Sequence, residues 1–186
     1  MFSYSILAVV AGLFALAYYP ALTYFSLNFV SPYATADIKK RAFAATIDGL
    51  VLASTVLLYQ YSEVPVFLVA GAGYLLERDA LRGQSLGKFC LGLVVISVET
   101  GRPVGAAGSA RRNLLFLVPG ANIAAVVMES FTAAKDPQGQ RLGDRMAQTQ
   151  VVEGHGAKDI VLAVQDWWSR FLSELPGRPR PVPADR

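Results

Sequence analysis

An arginine and an aspartate, Arg41 and Asp48, lie at the beginning of a long apolar segment. Because they are seven residues apart, they share a face of a helix and are separated by ~10 Å along its axis. An ionised carboxylate in hydrocarbon is costly unless it has a partner. Arg41 can extend to the membrane interface, but Asp48 lies too deep to do so. We therefore expect a later part of the chain to fold back onto this helix and supply a partner for Asp48.

A six-residue pattern that occurs twice offers such partners, since each copy ends in a charge. The first and second repeat copies are Gly83-Gln84-Ser85-Leu86-Gly87-Lys88 and Gly139-Gln140-Arg141-Leu142-Gly143-Asp144. Each copy is followed by a Val-Val strand candidate. We predict one pair between Arg41 and Asp144, and a second between Asp48 and either Lys88 or a backbone helix terminus. These pairs could serve transport directly or only hold the loops onto the helices, and the sequence leaves both interpretations open.

A third carboxylate, Glu129, lies late in the apolar segment 114–134. If that segment reaches the membrane core, Glu129 and Asp48 could form a proton or cation site, because two carboxylates in a poor solvent raise each other's pKa. Near the interface, Glu129 would instead be an ordinary paired side chain. A further run of charges, at residues 77–82, has the composition of a solvated helix end whose charges pair with one another.

The composition of the chain argues against several classes of function. Of the 186 residues, 53% are hydrophobic and 17% are charged, and the first charged residue is Asp37. This distribution is typical of an integral membrane protein. Cys90 and His155 are the only residues of their types, so we expect no disulfide, no metal site and no histidine-based catalysis. We recognise no cofactor motif, enzyme active site or nucleic-acid-binding surface, and expect a protein that is not an enzyme.

The apolar segments predict an all-α membrane protein, a helical bundle with a short two-stranded β element. A first helix within residues 4–30, kinked at Pro20, is long enough to span a bilayer. A second helix is expected over 42–61 and a third over 65–81. Pro119-Gly120 interrupts the segment 114–134, which forms either a re-entrant hairpin or a full crossing. We favour the hairpin because each arm is short for a span.

The basic residues predict the orientation of the chain in the membrane. Short basic loops remain in the cytoplasm, so we expect the loop around Arg41 inside and the N-terminus outside. If the two strand candidates pair, both repeat copies lie on the cytoplasmic side. The expected location is a bacterial plasma membrane, with the lipid bilayer as the principal partner.

The last part of the chain predicts an amphipathic helix followed by a disordered tail. Trp167, Trp168 and Phe171 share one helical face, while most charges lie elsewhere. That face could lie on the membrane surface, bind a partner protein or pack on the chain's own helices. The tail is rich in proline and arginine. The expected domains are an extra N-terminal membrane helix (1–36), a membrane domain (37–155), the amphipathic helix (156–175) and the tail (176–186).

These motifs together resemble the RDD family of small membrane proteins, which is named for one arginine and two aspartates. Arg41 and Asp48 resemble its first landmark, and the two repeat copies resemble the second and third, with Asp144 as the second family aspartate. The resemblance covers roughly residues 37–153. Gly143 departs from the pattern, because many members carry histidine before that aspartate. Any role of that histidine therefore does not carry over to this chain.

The resemblance implies helical spans and a suggested role in transport, including cation/proton exchange. We interpret the chain as a small transporter or ion-translocating component that uses buried arginine and aspartate groups. The alternative is a non-catalytic accessory or scaffold subunit of a larger membrane complex, which the small size and the tryptophan-bearing C-terminal helix favour. A transporter of this size would need to form a homo-oligomer to enclose a path.

Overall fold

Two long apolar helices form the first part of the structure. The computed structural model of the chain describes residues 4–26, 31–118 and 122–174. Helix α1 (Tyr4–Ser26) contains Pro20, and helix α2 (Ile38–Ser62) follows. Both are long and apolar enough to cross a membrane. The two membrane helices predicted first along the chain are therefore present, and the last predicted residues of the first one, 27–30, lie outside the described part.

Asp37 sets the beginning of α2. Its carboxylate accepts a hydrogen bond of 2.8 Å from the backbone N–H of Lys39, as an aspartate at a helix N-cap does. The helix therefore begins earlier than the sequence predicts, and Lys39, Lys40 and Arg41 form its first turn instead of a preceding loop. Arg41 and Asp48 belong to one continuous helix, as their spacing requires.

A tight turn returns the chain from α2 to the next helix, α3 (Val66–Glu77). Glu63 adopts a left-handed conformation at the end of α2, with a φ of 57°. Helix α3 is shorter than predicted, and at ~1.5 Å per residue its length is well below a hydrocarbon core of ~30 Å. Gly71 allows α2 and α3 to approach closely, because a Cβ there would lie 2.4 Å from Thr55 Oγ1.

Short helices and two paired strands make up the rest. They are α4 (Leu86–Leu91), β1 (Leu93–Ser97), α5 (Ala106–Asn113), a 3-10 turn (Leu114–Leu117), α6 (Asn122–Lys135), α7 (Leu142–Met146), β2 (Thr149–Glu153) and α8 (Ala157–Glu174). Strands β1 and β2 pair antiparallel, with Val95 opposite Val151. The predicted two-stranded element is confirmed, and it joins the segments that directly follow the two repeat copies.

The segment between the strands bends sharply. The helices Ala106–Leu117 and Asn122–Lys135 form an angle of 117°, and only together are they long and apolar enough to cross a membrane. Such a pair is a broken span or a re-entrant loop. Residues 119–121, which include the predicted break at Pro119-Gly120, lie outside the described part. The predicted hairpin therefore stays a prediction.

The apolar core is small and lies beside the strand pair. Its buried members come from the residues just before α2, the first turns of α2, both strands and the segment after β1, and they are Ala36, Ala44, Leu93, Val95, Val104 and Val151. Many large apolar side chains of α1, α2 and α6 are instead exposed on the surface of the chain. In a membrane protein this surface faces lipid, so the core can remain small.

Candidate functional site

Asp48 is buried in α2 and accepts hydrogen bonds from three donors. These are Tyr74 Oη at 2.8 Å, Ser85 Oγ at 2.6 Å and the backbone N–H of Gly87 at 2.8 Å. Lys88 Nζ lies 4.0 Å from Asp48 Oδ2, at the outer limit of an ion pair. Of the two partners proposed for Asp48, the backbone helix terminus thus makes the hydrogen bond, and Lys88 contributes charge from a longer distance.

The closest partner of Lys88 is Asp79, whose Oδ1 lies 2.6 Å from Lys88 Nζ. Asp79 is completely buried, and its Oδ2 lies 3.4 Å from Arg112 Nη1. The prediction that the charges of residues 77–82 form a solvated helix end is therefore wrong for Asp79. The segment after α3 packs against α5, where the backbone N–H of Asp79 donates to Ser109 Oγ at 3.1 Å.

The charges around Asp79 and Lys88 oppose the effect of their burial. Burial alone would raise the pKa of Asp79, but Lys88 and Arg112 bring it well below its usual range. Burial lowers the pKa of Lys88 to about 8, even though Asp79 favours the charged form. Asp79 is therefore ionised in the folded chain, and Lys88 is the member of the pair whose charged form burial disfavours.

Asp144 contacts three arginines from three parts of the chain. Its carboxylate lies 3.2 Å from Arg41 Nη2, 2.8 Å from Arg112 Nε and 3.1 Å from Arg141 Nη2. Arg41 also donates a hydrogen bond to the carbonyl of Gly139. Burial opposes ionisation, but these arginines hold the pKa of Asp144 well below its usual range. The predicted contact between Arg41 and Asp144 is present in the structure.

Glu129 holds the second repeat copy to α6. Its carboxylate accepts from Tyr18 Oη at 2.7 Å and from the backbone N–H groups of Leu142 at 3.0 Å and Gly143 at 3.3 Å. The groups that donate to Glu129 differ from those that donate to Asp48, so the two carboxylates are held separately. The proton or cation site that they were predicted to form stays a prediction. In the described part of the chain, no group of three or more His, Cys, Asp and Glu side chains is placed to hold a metal ion.

The two repeat copies are docked in the same way. Each ends in a short helix, α4 or α7, and the second glycine of each copy donates its N–H to a buried carboxylate of a longer helix: Gly87 to Asp48, and Gly143 to Glu129. Each of these carboxylates also accepts a hydrogen bond from a tyrosine of another helix, Asp48 from Tyr74 and Glu129 from Tyr18. The sequence repeat is therefore also a repeat of structure, with one carboxylate anchoring each copy.

The other positions that the two copies have in common also have matching structural roles. Gly83 and Gly139 both have a positive φ, of 71° and 62°, which favours glycine. Gln84 donates to the carbonyl of Leu93 at 2.9 Å, and Gln140 donates to Gln150 at 2.6 Å, so each glutamine ties its copy to a strand. The pattern thus supplies a turn, a strand contact and a helix terminus in that order.

The second glycine of each copy allows close backbone approach, and this leads to a testable prediction. A Cβ on Gly87 would lie 2.1 Å from the carbonyl oxygen of Ala44, so we expect Gly87→Ala to destabilise the chain by about 1–3 kcal/mol. Gly73→Ala is the control, because a Cβ on Gly73 meets nothing within 4 Å. Thermal unfolding in detergent measures both. Equal unfolding temperatures for the two variants would contradict the proposed close contact.

A cavity of about 250 Å³ lies between α2 and α6, beside these charges. Alanines of α2 and α6 form much of its wall, and several of them are exposed, so the cavity opens between the two helices. Its charged lining residues are Arg41, Asp48, Arg78, Lys88, Arg112 and Arg141. We call it the α2–α6 cavity.

Helix α8 presents the predicted apolar face. Trp167, Trp168 and Phe171 are exposed and contact one another, with ring centroids 5.6–6.0 Å apart. Because these rings are exposed, they are not packed on the described helices of the same chain. Of the three alternatives for this face, the membrane surface and a partner protein remain.

Several residues of the site are not singled out by sequence reasoning. Asp79 and Arg112 each stand next to other charged residues in the sequence. A cluster of charges does not reveal which of its members is buried. Arg141 stands at the variable position of the repeat, where the first copy has Ser85. The charges of the repeat copies are one available signal. The first copy carries a cation, Lys88, without a carboxylate of its own, so a carboxylate from elsewhere in the chain is needed as its partner.

The long apolar helices indicate a membrane protein. The model of the RDD family matches residues 62–148, so the resemblance is confirmed over that range. Arg41 and Asp48 lie before the matched range, but both contact residues within it. No curated protein and no solved structure matched the chain.

Proposed function

We propose that the chain is a small transporter or ion-translocating component of a membrane, with the α2–α6 cavity as part of the path. The cavity is the observation that carries this proposal, because it places charged side chains, Asp48 among them, around an open space between helices that belong to candidate membrane segments. Ionisable groups within membrane segments are costly, and they commonly mark solute or proton pathways.

The contacts that the buried carboxylates make with other parts of the chain are consistent with a path whose lining is fixed in position. Asp48, Asp79 and Asp144 each have partners from different elements, so their carboxylates are held in place without a bound solute. A preorganised polar lining reduces the cost of desolvating a charged solute on entry. Because α2 and α6 both contribute to the wall, a small change in their separation would open or close the cavity.

Ion flux through proteoliposomes tests the proposal. We expect charge movement or pH change under gradients of sodium chloride, potassium chloride, sodium phosphate or protons, compared with protein-free liposomes. Asp48→Asn should abolish it, because the variant loses the charge that holds the first repeat copy and the adjoining wall of the cavity in place. Glu77→Gln is the control, since Glu77 is an exposed carboxylate at the end of α3. Flux that is absent under every gradient, or unchanged in Asp48→Asn, would contradict the proposal.

A pair of alanine substitutions tests the path without removing a charge. Ala45 lines the α2–α6 cavity, whereas Ala53 is exposed elsewhere on the same helix. We expect Ala45→Leu to reduce flux severalfold because the added atoms enter the cavity, while Ala53→Leu leaves it unchanged. Equal flux in both variants, at equal reconstitution, would mean that the solute takes another route.

An accessory role in a larger membrane complex is the second candidate, and the exposed face of α8 favours it. Aromatic residues are enriched at interfaces, and stacked rings such as Trp167 and Phe171 supply large contact areas. In this case, Trp167→Ala/Trp168→Ala/Phe171→Ala should release a stoichiometric partner from the purified complex. Asp166→Ala, on the same helix, should retain it. A chain that purifies alone from its native membrane would contradict this role.

A further inference from the structure

Arg78 differs from the other cations around the α2–α6 cavity because no carboxylate of the described residues lies within ion-pair distance of it. Lys88 contacts Asp79, Arg112 contacts Asp79 and Asp144, and Arg41 contacts Asp144. Arg141, the remaining cation, also contacts Asp144. The guanidinium of Arg78 has neutral partners only: it donates to Asn113 Oδ1 at 2.8 Å and lies over the ring of Phe116.

The position of Arg78 makes this imbalance costly. Its Nε is buried and has no hydrogen-bond partner among the described residues. Burial lowers the pKa of Arg78 below its usual range, although Asp79 favours the charged form. Arg78 as a whole is partly buried, and a cation withdrawn from water without a carboxylate at ion-pair distance is unfavourable. Arginine nevertheless remains charged at every physiological pH. The charge of Arg78 is therefore available to an anion that enters the cavity.

The carboxylates of the site do not offer the same opportunity to a cation. Asp48 already accepts from Ser85 and from the backbone of Gly87, and Asp144 already contacts three arginines. Five cationic side chains line the cavity, against one carboxylate, that of Asp48. An entering cation would have to displace protein donors, whereas an entering anion would gain charge-assisted hydrogen bonds.

We propose that the α2–α6 cavity binds a phosphate-type anion, with Arg78 as its principal counter-charge. The planar guanidinium suits phosphate oxygens because it presents parallel N–H donors. The volume of about 250 Å³ is adequate for a single phosphate group with a small substituent. The anion is either a free phosphate or the headgroup of an anionic lipid that enters between α2 and α6. This inference rests on the proposed function in that it assigns a ligand class to the same cavity.

Binding to the purified full-length chain tests the proposal and distinguishes the two sources. In the first arm, inorganic phosphate is titrated against the chain in a neutral detergent, with chloride at equal ionic strength as the reference. In the second arm, the chain is placed in nanodiscs of phosphatidylcholine with or without phosphatidylglycerol. Unfolding temperature and native mass spectrometry report binding. We expect stabilisation by phosphate, by phosphatidylglycerol or by both, and the responding arm identifies the source.

Matched arginine variants decide whether the binding occurs in this cavity. We expect Arg78→Gln to weaken binding by at least ~10-fold, because it removes hydrogen bonds between charged groups. Arg78→Lys should retain part of the affinity, since lysine keeps the charge without the planar fork. Arg111→Gln is the control, because Arg111 is exposed and outside the cavity lining. Equal binding in Arg78→Gln and Arg111→Gln, or no binding in either arm, would overturn the proposal.

Ala45→Leu provides a test that leaves every charge in place. The variant should weaken anion binding, and Ala53→Leu should not, so the proposal can fail even if Arg78→Gln does not fold. Failure of this inference is distinguishable from failure of the proposed function. Flux without Arg78-dependent anion binding would refute only the ligand class, and Arg78-dependent binding without any flux would refute only transport.

Discussion

Asp144→Asn is expected to lower the stability of the chain by about 3–5 kcal/mol, because it removes the charge that Arg41, Arg112 and Arg141 share. An asparagine has nearly the same shape, but its neutral amide cannot balance the buried arginines. Asp144 also joins α2, α5 and α7, so its loss affects the packing of all three. At 2–4 °C per kcal/mol for a chain of this size, the unfolding temperature in detergent should fall by roughly 10 °C.

Glu153→Gln is the matched control for this prediction. Glu153 pairs with Lys40 at 2.8 Å, but both side chains are about half exposed. Exposed pairs contribute 0 to ~1 kcal/mol because water and salt screen them. We therefore expect a shift of only a few degrees at most for Glu153→Gln. If both variants unfold at the same temperature, the three-arginine contact does not stabilise the fold.

Acid provides an independent measurement of the same contact. The pKa of Asp144 is held below its usual range in the folded chain, so the unfolded state binds the proton more readily. Its contribution to stability is full above the unfolded pKa of about 3.9 and is lost as the pH falls below that value. The wild-type chain should lose more stability than Asp144→Asn between pH 5 and pH 2. Parallel pH profiles of the two proteins would contradict this assignment.

The contact between Arg41 and Asp144 could be predicted from the sequence because the two residues stand out. Arg41 begins an apolar helix, and Asp144 ends a repeat copy that precedes a strand candidate. Pairing of the strands fixes where the second copy lies relative to the first. The antiparallel β1–β2 pair could be predicted for a similar reason, because short runs rich in valine that follow turn residues are a distinctive sequence pattern.

The burial of Asp79 could not be predicted in the same way. It stands between Arg78 and two nonpolar residues near Arg82, and a charged run at a helix end is normally solvated. Its burial depends on the packing of α3 against α5, which no local pattern in the chain specifies. The equivalence of Asp48 and Glu129 was hidden for a related reason, because carboxylates on different helices become equivalent only when both repeat copies dock.

Asp79→Asn is expected to have an effect of similar size, about 3–5 kcal/mol, because it leaves Lys88 without its closest counter-charge. Lys88 would remain only 4.0 Å from Asp48, which is already engaged by Ser85 and Gly87. Arg112 keeps its contact with Asp144, so the loss of a counter-charge affects mainly Lys88. Thermal unfolding in detergent should therefore show a fall of roughly 10 °C.

A double substitution separates a stranded charge from lost packing. In Asp79→Asn/Lys88→Gln the cation is removed together with its partner, so the variant should be more stable than Asp79→Asn alone. Lys88→Gln by itself should be destabilised less than Asp79→Asn, because Asp79 retains Arg112. A double variant that is as unstable as the sum of the single variants would show that the two side chains do not interact. Recovery would instead establish that charge balance around Asp79 holds the first repeat copy against α2 and α5.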